Sequence, residues 1–590
     1  MSEAMLTKWG RAIDPGHVLE DYPRPGMRRD SFVSLNGTWD YAITASSDLP
    51  ESYDGTILVP FSPEAALSGV NRVLMPDEVL HYRRSFAMGP LESGKRLLLH
   101  FGAVDQRCEV YLNGAALGAH AGGYWHFSFD ITDCVREGEN VIQMVVRDLS
   151  DASYQARGKQ SLERGGMWYT PQSGIWQTVW METVPEHYIE GLSLKPDLDA
   201  QSLALRVTMR DEERVPMALT VSLRGKVVLR ADGITGDVCR LALPACEPWT
   251  PETPVLYDIA IRAGEDAVCS YFAMRKISME RDARGILRLF LNGRPYFHNG
   301  VLDQGYFPDG LYTPPSDEAM VNDILQMKAL GFNMLRKHAK IEPDRWYYHC
   351  DRLGMLVWQD MVNGGERRRP LSGAASDRMP EPARRSRDAN LRVFLRDSEA
   401  ARDEFAREVA MTVNQLYNFP SIAVWTVFNE AWGECEAADF TAQIRQADDS
   451  RLIDEASGWV DQKGGDIKSL HNYFLPLKIR PQADRCVALS EFGGYSWHIP
   501  DHSWTASEFG YRKYHSRSTL TAAIERLWRR DLLPNVENGL SATVYTEVSD
   551  VEDETNGLLT YDRELLKVTP ETIRQINREL LEMFEGASGE

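Results

Sequence analysis

Two glutamates each follow a short apolar run that has the length of a buried strand. Glu430 ends the segment SIAVWTVFNE, and Glu491 ends the segment RCVALSE. If both runs are parallel strands of one barrel, their last side chains meet at the same mouth. Two carboxyl groups about 5–5.5 Å apart can cleave a glycosidic bond with retention, since one protonates the leaving oxygen and the other attacks the anomeric carbon. We expect their mutual repulsion to raise the pKa of one group, which then stays protonated.

The elements that must position these glutamates begin after Arg281, where short apolar strands start to alternate with helices. Such alternation favours parallel βαβ units. One of the helices is predicted to begin at Ser316, a good N-cap, and to end at Gly331. Eight strands in about 300 residues is the size of a (β/α)8 or TIM barrel, in which the glutamates end the fourth and seventh strands. We assign the catalytic barrel to residues 280–590, with strands at 290–302, 333–338, 355–360, 421–429, 451–457, 467–474, 485–491 and 541–546.

The chain before the barrel is rich in β-strand patterns. Residues 1–185 contain β-branched and aromatic runs, two of them joined by Asn113-Gly114, a dipeptide typical of a tight hairpin. These features predict a jelly-roll β-sandwich, and its Gly-, Trp- and Tyr-rich segment 165–176 is the predicted contact with the barrel. In residues 186–279, apolar and polar side chains alternate, which predicts an immunoglobulin-like β-sandwich. The predicted fold class is therefore multidomain, with two β-sandwiches before a TIM barrel.

Composition excludes several classes of partner. The net charge of −21 argues against a nucleic-acid partner. Eight Cys without a CxxC motif favour a reducing compartment over a disulfide frame or a zinc site. We see no apolar signal-peptide core and no run of the roughly 18 apolar residues that a membrane span needs. We therefore expect a cytoplasmic protein with a carbohydrate substrate, no membrane partner, no metal and no cofactor, while homo-oligomerisation stays open.

Several motifs resemble glycoside hydrolase family 2, the family of β-galactosidases, β-glucuronidases and β-mannosidases, over nearly the whole chain. SFVSLNGTWDYAI, VYLNGAALGAHAGGYWHFSFDIT and SGIWQTVWME resemble the family's sugar-binding jelly roll. GFNMLRKH and YYHCDRLGMLVWQD resemble its second and third barrel strands. VWTVFNEAWGE resembles the acid/base motif, and VALSEFGG resembles the nucleophile motif. The resemblance implies a retaining exo-β-glycosidase that acts on terminal β-linked sugars.

The resemblance also implies roles for individual residues. Glu430 is the implied general acid/base, Glu491 the implied nucleophile, and Asn429 the residue that bonds the sugar 2-hydroxyl. Arg336 matches an arginine that orients the nucleophile through a charge-assisted hydrogen bond, which keeps a carboxylate ionised. Tyr473, in LHNYF, resembles a tyrosine that hydrogen-bonds the nucleophile.

Further positions are implied to bind the sugar. His338 stands one position before the histidine of the family's R-x-x-H pattern. Asp303 follows the first strand and Asp360 ends the third, where the family binds hydroxyls or has an acidic residue. Tyr545 stands where the family often has a tryptophan platform at the eighth strand. Two tryptophans are candidates either for the wall of the sugar pocket or for the core, Trp358 and Trp497.

The stretch after the eighth strand bears on the charge of the sugar. Glucuronidases of the family carry an Asn-x-Lys pair there, and its lysine meets the sugar carboxylate. In this chain Asn556-Gly557 is followed by Leu558, and the stretch TEVSDVEDETNG is acidic. Because an unpaired buried charge is very costly, this departure favours a neutral β-hexoside such as a β-galactoside. An Arg-rich loop at 361–390 offers other cations, so β-glucuronidase and β-mannosidase activities stay open.

Two other classes of function compete with a glycosidase: an inactive carbohydrate-binding protein, and another kind of barrel enzyme such as an aldolase or a metal hydrolase. A carbohydrate-binding protein that has lost activity would normally lack one of the two glutamates, and both are present. A Schiff-base aldolase needs a buried lysine at a strand end, and Lys337 alternates away from Arg336 and His338. A metal hydrolase needs clustered ligands, and the 13 His are scattered along the chain. These observations favour the glycosidase.

Overall fold

The computed structural model describes residues 5–365, 396–430, 432–458 and 460–589. From residue 366 to residue 390, the predicted Arg-rich loop lies outside the described residues. The described strands form two groups of antiparallel sheets, followed by one parallel barrel. This arrangement confirms the predicted multidomain fold class.

The first group of strands forms a sandwich with a four-stranded and a six-stranded antiparallel sheet. Trp39 and Val110 of one sheet share a core with Leu99 of the other. At the predicted hairpin, Asn113 and Gly114 have φ values of 53° and 83°, which suit a tight turn. The strands of this region are Phe32–Ser34, Gly37–Thr44, Gly55–Val59, Val79–Met88, Lys95–Phe101, Val104–Asp105, Arg107–Leu112, Ala115–Ala121, Phe127–Asp130, Gly138–Arg147, Gly174–Ile175 and Val179–Pro185.

The second group forms a smaller sandwich with a three-stranded and a four-stranded sheet. Leu205 and Val207 are buried while Arg206 between them is exposed, as the period of two predicts. Leu219 and Val221 of the other sheet complete this core. The strands are Ile189–Asp197, Ser202–Met209, Pro216–Leu223, Lys226–Ile234, Val238–Ala242, Tyr257–Ala263 and Asp266–Phe272.

The barrel is built from eight parallel strands, as predicted. We number them β1 (His298–Asp303), β2 (Met334–Lys337), β3 (Leu356–Asp360), β4 (Ile422–Asn429), β5 (Leu452–Ser457), β6 (Ile467–Asn472), β7 (Cys486–Gly493) and β8 (Leu540–Thr546). Their hydrogen-bonded order is β5-β4-β3-β2-β1-β8-β7-β6. Side chains join β5 to β6, since Ser457 Oγ lies 2.9 Å from His471 Nε2 and Ser469 donates to Asp454. Below the barrel, a separate antiparallel sheet is formed by Ile277–Arg281, Leu287–Leu291 and Arg294–Pro295. The run predicted at 290–302 therefore spans parts of three strands, of which the last, His298–Asp303, belongs to the barrel.

Helices cover the outside of the barrel. Ser316 caps the first, where its Oγ accepts a hydrogen bond from the backbone of Ala319 at 3.3 Å, and Gly331 follows its end with φ 90°. Phe405 and Val409 bury one face of the long helix before β4. None of the described helices is long and apolar enough to span a membrane. The barrel helices are Asp317–Ala329, Asp344–Leu353, Glu399–Leu416, Ala437–Ala447, Arg517–Leu527, Leu533–Val536 and Pro570–Ser588.

Loops of the first sandwich pack directly on the barrel. Tyr169 and Trp176, from the predicted contact segment, belong to the same buried cluster as Tyr306 and Tyr312, which follow β1. Their ring centroids lie 4.9 Å apart for Tyr169 and Tyr306, and 5.3 Å apart for Trp176 and Tyr312. This apolar contact holds the sandwich loops over the mouth where the strand ends meet.

Candidate active site

Glu430 and Glu491 meet at the carboxyl-terminal mouth of the barrel. Glu430 directly follows β4, and Glu491 lies near the end of β7. Oxygen atoms of the two carboxylates lie within 4.8 Å of each other and of His471 Nδ1. Glu430 has φ 51°, an uncommon conformation for a non-glycine residue that is typical of functional positions. Its side chain is 26% exposed, whereas that of Glu491 is 7% exposed, so a ligand reaches the pair from the Glu430 side.

His471, at the end of β6, links the two carboxylates and was missed in the sequence. Its Nδ1 lies 2.7 Å from Glu430 and 3.4 Å from Glu491. Its Nε2 lies 2.9 Å from Ser457 Oγ, which keeps the ring in place. The signal that could have found it is strand alternation, because His471 and Tyr473 stand two positions apart and therefore share a side of the chain.

Glu491 receives hydrogen bonds from two buried donors. Arg336 Nη1 donates to its Oε1 at 3.2 Å, and the Tyr473 hydroxyl donates to its Oε2 at 2.6 Å. Donors of this kind stabilise the ionised form of a carboxylate. The arrangement suits a group that must carry negative charge when it attacks an electrophilic carbon.

Arg336 is the centre of the network below the two glutamates. It binds Asp360 through two hydrogen bonds of 2.9 and 3.0 Å and donates to Asn429 Oδ1 at 2.8 Å. His338 Nδ1 lies 2.7 Å from Asp360. Burial raises the pKa of Asp360, but Arg336 and His338 lower it more, so this carboxylate stays charged and holds the arginine. The network fixes Asn429 and Glu491 relative to each other.

The charge state of Glu430 differs from the sequence-based expectation. Burial raises the pKa of Glu430, but the hydrogen bond and charge of His471, and the charge of Lys159, lower it more, to about 2. Glu430 is therefore not the group whose pKa is raised in the ligand-free site. Cationic groups around Glu430 outweigh the effect of the neighbouring carboxylate.

Of the predicted site residues, the structure brings seven together at the mouth. They are Asn429, Glu430, Glu491, Arg336, His338, Asp360 and Tyr473. Lys337, the residue weighed for an aldolase, points to the other side of β2, where it pairs with Asp303 at 2.8 Å and with Glu342 at 2.7 Å. This pairing agrees with the prediction that Lys337 alternates away from the site.

Three predicted site residues lie elsewhere. Asp303 is on the outer side of β1, paired with Lys337, so its predicted sugar contact was wrong. Tyr545 packs between Phe492 and Trp528 in the helix layer, and is therefore no platform at the mouth. In both cases the predicted residue is one position away in the sequence from a residue on the inner side, because neighbouring residues of a strand face opposite sides.

The third misplaced residue is Trp358, which belongs to the core. It is fully buried inside the barrel, and its indole N–H donates to His298 at the start of β1, 2.9 Å away. Trp497 is partly exposed in the loop after β7, and its backbone N–H donates to the carbonyl of Thr555, 3.0 Å away. Of the two roles considered for Trp358, wall of the sugar pocket or core, the structure therefore favours the core.

The first sandwich contributes to the rim of the mouth. The Trp168 ring lies edge-on against Trp432, two residues after Glu430, with centroids 5.0 Å apart. The Tyr169 hydroxyl donates to Glu554 at 2.5 Å, in the loop that follows β8. The charge of Lys159 acts on Glu430, as described above. These contacts confirm that the segment predicted at 165–176 reaches the barrel mouth.

Two groups of described side chains have the composition of a metal site. In both, a histidine already bonds a carboxylate at 2.7 Å, so hydrogen bonding accounts for the cluster without an ion. The second group also contains an ion pair between Arg11 and Glu564. The groups are Glu430 with His471 and Glu491, and His502 with Asp562 and Glu564.

Known proteins match both ends of this architecture. The family model described as "Glycosyl hydrolases family 2, sugar binding domain" matches residues 75–185, and "Glycosyl hydrolases family 2, TIM barrel domain" matches residues 289–475. A β-galactosidase of Vibrio vulnificus is 25% identical over 485 residues, 74% of this chain. The chain spans 43% of the length of that relative.

Solved structures share the fold at low identity. A β-glucuronidase from an uncultured Clostridium has a TM-score of 0.72 at 17% identity, covering 94% of this chain and 99% of that one. A β-galacturonidase from Eisenbergiella tayi bound to galacturonate has a TM-score of 0.68 at 18% identity, covering 96% and 99%.

A pair of carboxylates at the mouth of a TIM barrel, with a β-sandwich packed over that mouth, is typical of glycoside hydrolases. The two matched domains together cover about half of the chain. The chain belongs to glycoside hydrolase family 2, as the motifs predicted.

Proposed function

We propose that this protein is a retaining exo-β-glycosidase, with Glu491 as nucleophile and Glu430 as general acid/base. The observation that carries the proposal is the asymmetry of the carboxylate pair. Oxygens of the two groups lie within 4.8 Å of each other, which suits double displacement. Glu491 is held by Arg336 and Tyr473, whereas Glu430 shares a hydrogen bond with His471 and is more exposed.

In the proposed reaction, a carboxylate oxygen of Glu491 bonds to the anomeric carbon of a terminal β-linked sugar. The glycosidic bond breaks, its electron pair stays on the leaving oxygen, and Glu430 supplies the proton to that oxygen. Water then attacks the glycosyl ester while Glu430 takes its proton, so the product keeps the β configuration. Asn429, held by Arg336, is positioned for the sugar 2-hydroxyl, as the family resemblance implies.

The proton for the first step is supplied through the hydrogen bond between His471 and Glu430. With a pKa of about 2, Glu430 alone is a carboxylate at neutral pH. His471 Nδ1 lies 2.7 Å from Glu430, within hydrogen-bonding distance, so the two side chains can share a proton next to the leaving oxygen. As negative charge develops on that oxygen, Glu430 can pass on a proton that it receives from the ring.

A neutral β-hexoside, such as a β-galactoside, is the proposed substrate. The acidic stretch after β8 is folded inward, since Asp550, Glu552 and Glu554 are all buried. Buried acidic groups disfavour a uronate and suit hydroxyl groups, and the buried Lys567 is already paired with Asp550 at 2.6 Å. The curated β-galactosidase relative agrees with this choice, whereas the structural neighbours are named for uronides. β-Glucuronidase and β-mannosidase activities are the alternatives.

A panel of nitrophenyl β-glycosides tests the proposal. We expect turnover of a β-galactoside to exceed that of β-glucuronide, and we expect proton NMR to show the β-anomer as the first sugar product. A first-formed α-anomer would replace double displacement with inversion. A protein that turns over no member of the panel would contradict the proposed activity.

A second prediction concerns His471→Gln. The pKa of Glu430 should rise towards its ordinary range, because burial is then less opposed. A carboxyl group with an ordinary pKa is still ionised at neutral pH, and the ring that shares its proton is gone. Proton donation should therefore suffer most, and we expect kcat/KM for alkyl glycosides to fall by about 100-fold, with little change for dinitrophenyl glycosides that need no proton. The exposed His187→Gln is the matched control. Equal losses on both substrates would show that His471 acts through Glu491 instead.

A further inference from the structure

Glu547, the first residue after β8, is a buried carboxylate that the proposed mechanism does not use. Glu547 is fully buried, and Gln304 is the side chain placed to donate to it, although neither carboxyl oxygen forms a hydrogen bond of ordinary length and angle among the described residues. Gln304, which follows β1, is also buried and has an unpartnered Oε1. An unpaired carboxyl group in a protein interior is costly, so a structure keeps one where a ligand completes its hydrogen bonds.

The position of Glu547 in the barrel determines which hydroxyl groups of a bound sugar its side chain can contact. In an eight-stranded barrel, β8 lies across the mouth from β4, which carries Asn429 and Glu430. The scissile bond and the 2-hydroxyl of a bound sugar are proposed to lie on the β4 side. The opposite side therefore faces the hydroxyl groups farthest from the anomeric carbon, at and around C4.

Two cations lie on this side among the described residues: the buried Lys567, which pairs with Asp550 at 2.6 Å, and Lys159 of the first sandwich. The Nζ of Lys159 lies 5.4 Å from the Trp168 ring centroid, and its hydrogen bond is to the thioether of Met167 at 3.9 Å. Among the described residues, it forms no ion pair within 4.0 Å. Its charge lowers the pKa of Glu430, Glu547 and Glu554, so the ammonium group lies near enough to act on all three. A thioether is a weak acceptor, so the ammonium retains donors for a ligand.

Backbone contacts hold Lys159 in this position. The Lys159 carbonyl accepts a hydrogen bond from the backbone of Tyr169 at 3.0 Å, and Gly158 donates to the carbonyl of Asn363 at 3.0 Å. Asn363 follows β3, so Lys159 is fixed between its own sandwich and the barrel mouth. Gly158 has φ 59°, and a Cβ atom there would lie 2.4 Å from the carbonyl oxygen of Ala339. The close approach of the two chains therefore requires glycine.

We propose that Glu547 and Lys159 together bind neighbouring hydroxyl groups of the terminal sugar around C4, and that the site thereby takes a neutral glycone. This inference rests on the proposed glycosidase function. The Glu547 carboxyl group, whose pKa is raised well above its usual range by burial and by Glu554, bonds one hydroxyl while the ammonium donates to the next, so the pair suits a neutral diol. A uronate would place another carboxylate beside Glu547 and Glu554, with Lys159 as the cation left to share because Lys567 already pairs with Asp550, which disfavours a uronate.

The test compares variants on substrates that lack one hydroxyl. The nitrophenyl β-hexoside that the wild type cleaves best is used with its 4-deoxy and 6-deoxy analogues. Glu547→Gln and Lys159→Met should each lower kcat/KM for the parent by about 100-fold, and by only a few-fold for the analogue that lacks the contacted hydroxyl. Lys226→Met, at an exposed hairpin of the second sandwich, is the control and should match the wild type. Because an unpaired buried carboxylate destabilises, Glu547→Gln should not lower Tm.

Each other outcome contradicts the inference in a distinct way. Equal losses on parent and deoxy substrates would show that neither residue contacts these hydroxyls. A wild-type preference for a β-uronide that Lys159→Met abolishes would assign Lys159 to a carboxylate. A preference for a β-glucosaminide that Glu547→Gln abolishes would assign Glu547 to an ammonium group.

Calorimetry with galactose, glucose and mannose, and with 4-deoxygalactose, separates this inference from the proposed function. Binding of a hexose that weakens in Glu547→Gln, in a protein without turnover, would refute only the glycosidase proposal. Turnover that survives Glu547→Gln unchanged would refute only the inference. Absence of both binding and turnover would refute both.

Discussion

Glu491→Gly should lower the hydrolysis of aryl β-glycosides by on the order of 10⁴- to 10⁶-fold, and sodium azide should restore cleavage of the aryl bond. Without its carboxylate, the protein loses the group that attacks the anomeric carbon. Glycine also leaves a space next to that carbon, where azide can bind and attack from the same side. The product is then the α-glycosyl azide, with inverted configuration, which NMR identifies.

Glu491→Gln is the matched control for azide rescue. The glutamine fills the space of the carboxylate and still contacts Arg336 and Tyr473, so azide should give no rescue. A β-glycosyl azide from Glu491→Gly would mean that Glu430 is the nucleophile and that the two roles are exchanged. Full activity of Glu491→Gly without azide would refute the double displacement itself.

Much of this site could be predicted because its residues stand at the ends of continuous apolar strands. In SIAVWTVFNE, eight buried residues of β4 precede Glu430, so the polar pair Asn429-Glu430 had to lie at a strand end. Parallel strands of a barrel bring such ends together whatever their separation in the chain. Arg336, Asp360 and Glu491 were predicted on the same ground, with roles taken from the family motifs.

The predictions for Asp303 and Tyr545 were wrong because a shift of one residue along a strand changes the side that the residue faces. Tyr545 is the neighbour of Thr546, whose hydroxyl lies 3.3 Å from that of Tyr473 at the mouth, and Asp303 is the neighbour of Gln304. A shift of one position exchanges the inner and outer sides of a strand. Strand alternation alone could not set the register, because β-bulges interrupt the pairing of β7 with β8.

Residues from distant parts of the chain could not be predicted from local patterns. Lys159 lies in a loop of the first sandwich, more than 250 positions from Glu430, and only the packing of Tyr169 and Trp176 on the barrel brings it to the mouth. Glu547 was counted within an acidic stretch, whose burial the sequence does not reveal. The charge of Glu430 depends on His471 and Lys159 together, so it follows from the assembled site alone.

The second large effect is expected for Glu430→Gly, and it depends on the leaving group. For dinitrophenyl β-glycosides, the leaving oxygen needs no proton, so formation of the glycosyl enzyme should proceed almost as in the wild type. For methyl or disaccharide substrates, we expect kcat/KM to fall by about 10³- to 10⁴-fold, since proton donation contributes at most about that much. Glu430→Gln is the control that removes the proton transfer and keeps the side-chain volume.

Azide should also restore cleavage in Glu430→Gly, but the glycosyl azide should have the opposite anomeric configuration to the product of Glu491→Gly. In Glu430→Gly the glycosyl ester on Glu491 still forms, and azide enters from the side where Glu430 stood. It attacks a carbon whose configuration has already been inverted once, so the product is the β-glycosyl azide, with net retention. Because His471 bonds Glu430 at 2.7 Å and Glu491 at 3.4 Å, the variant also leaves the ring free to shift towards Glu491. If the ring then donated the proton itself, methyl glycosides would lose far less than 10³-fold in Glu430→Gly, and only the double variant with His471→Gln would show the full loss.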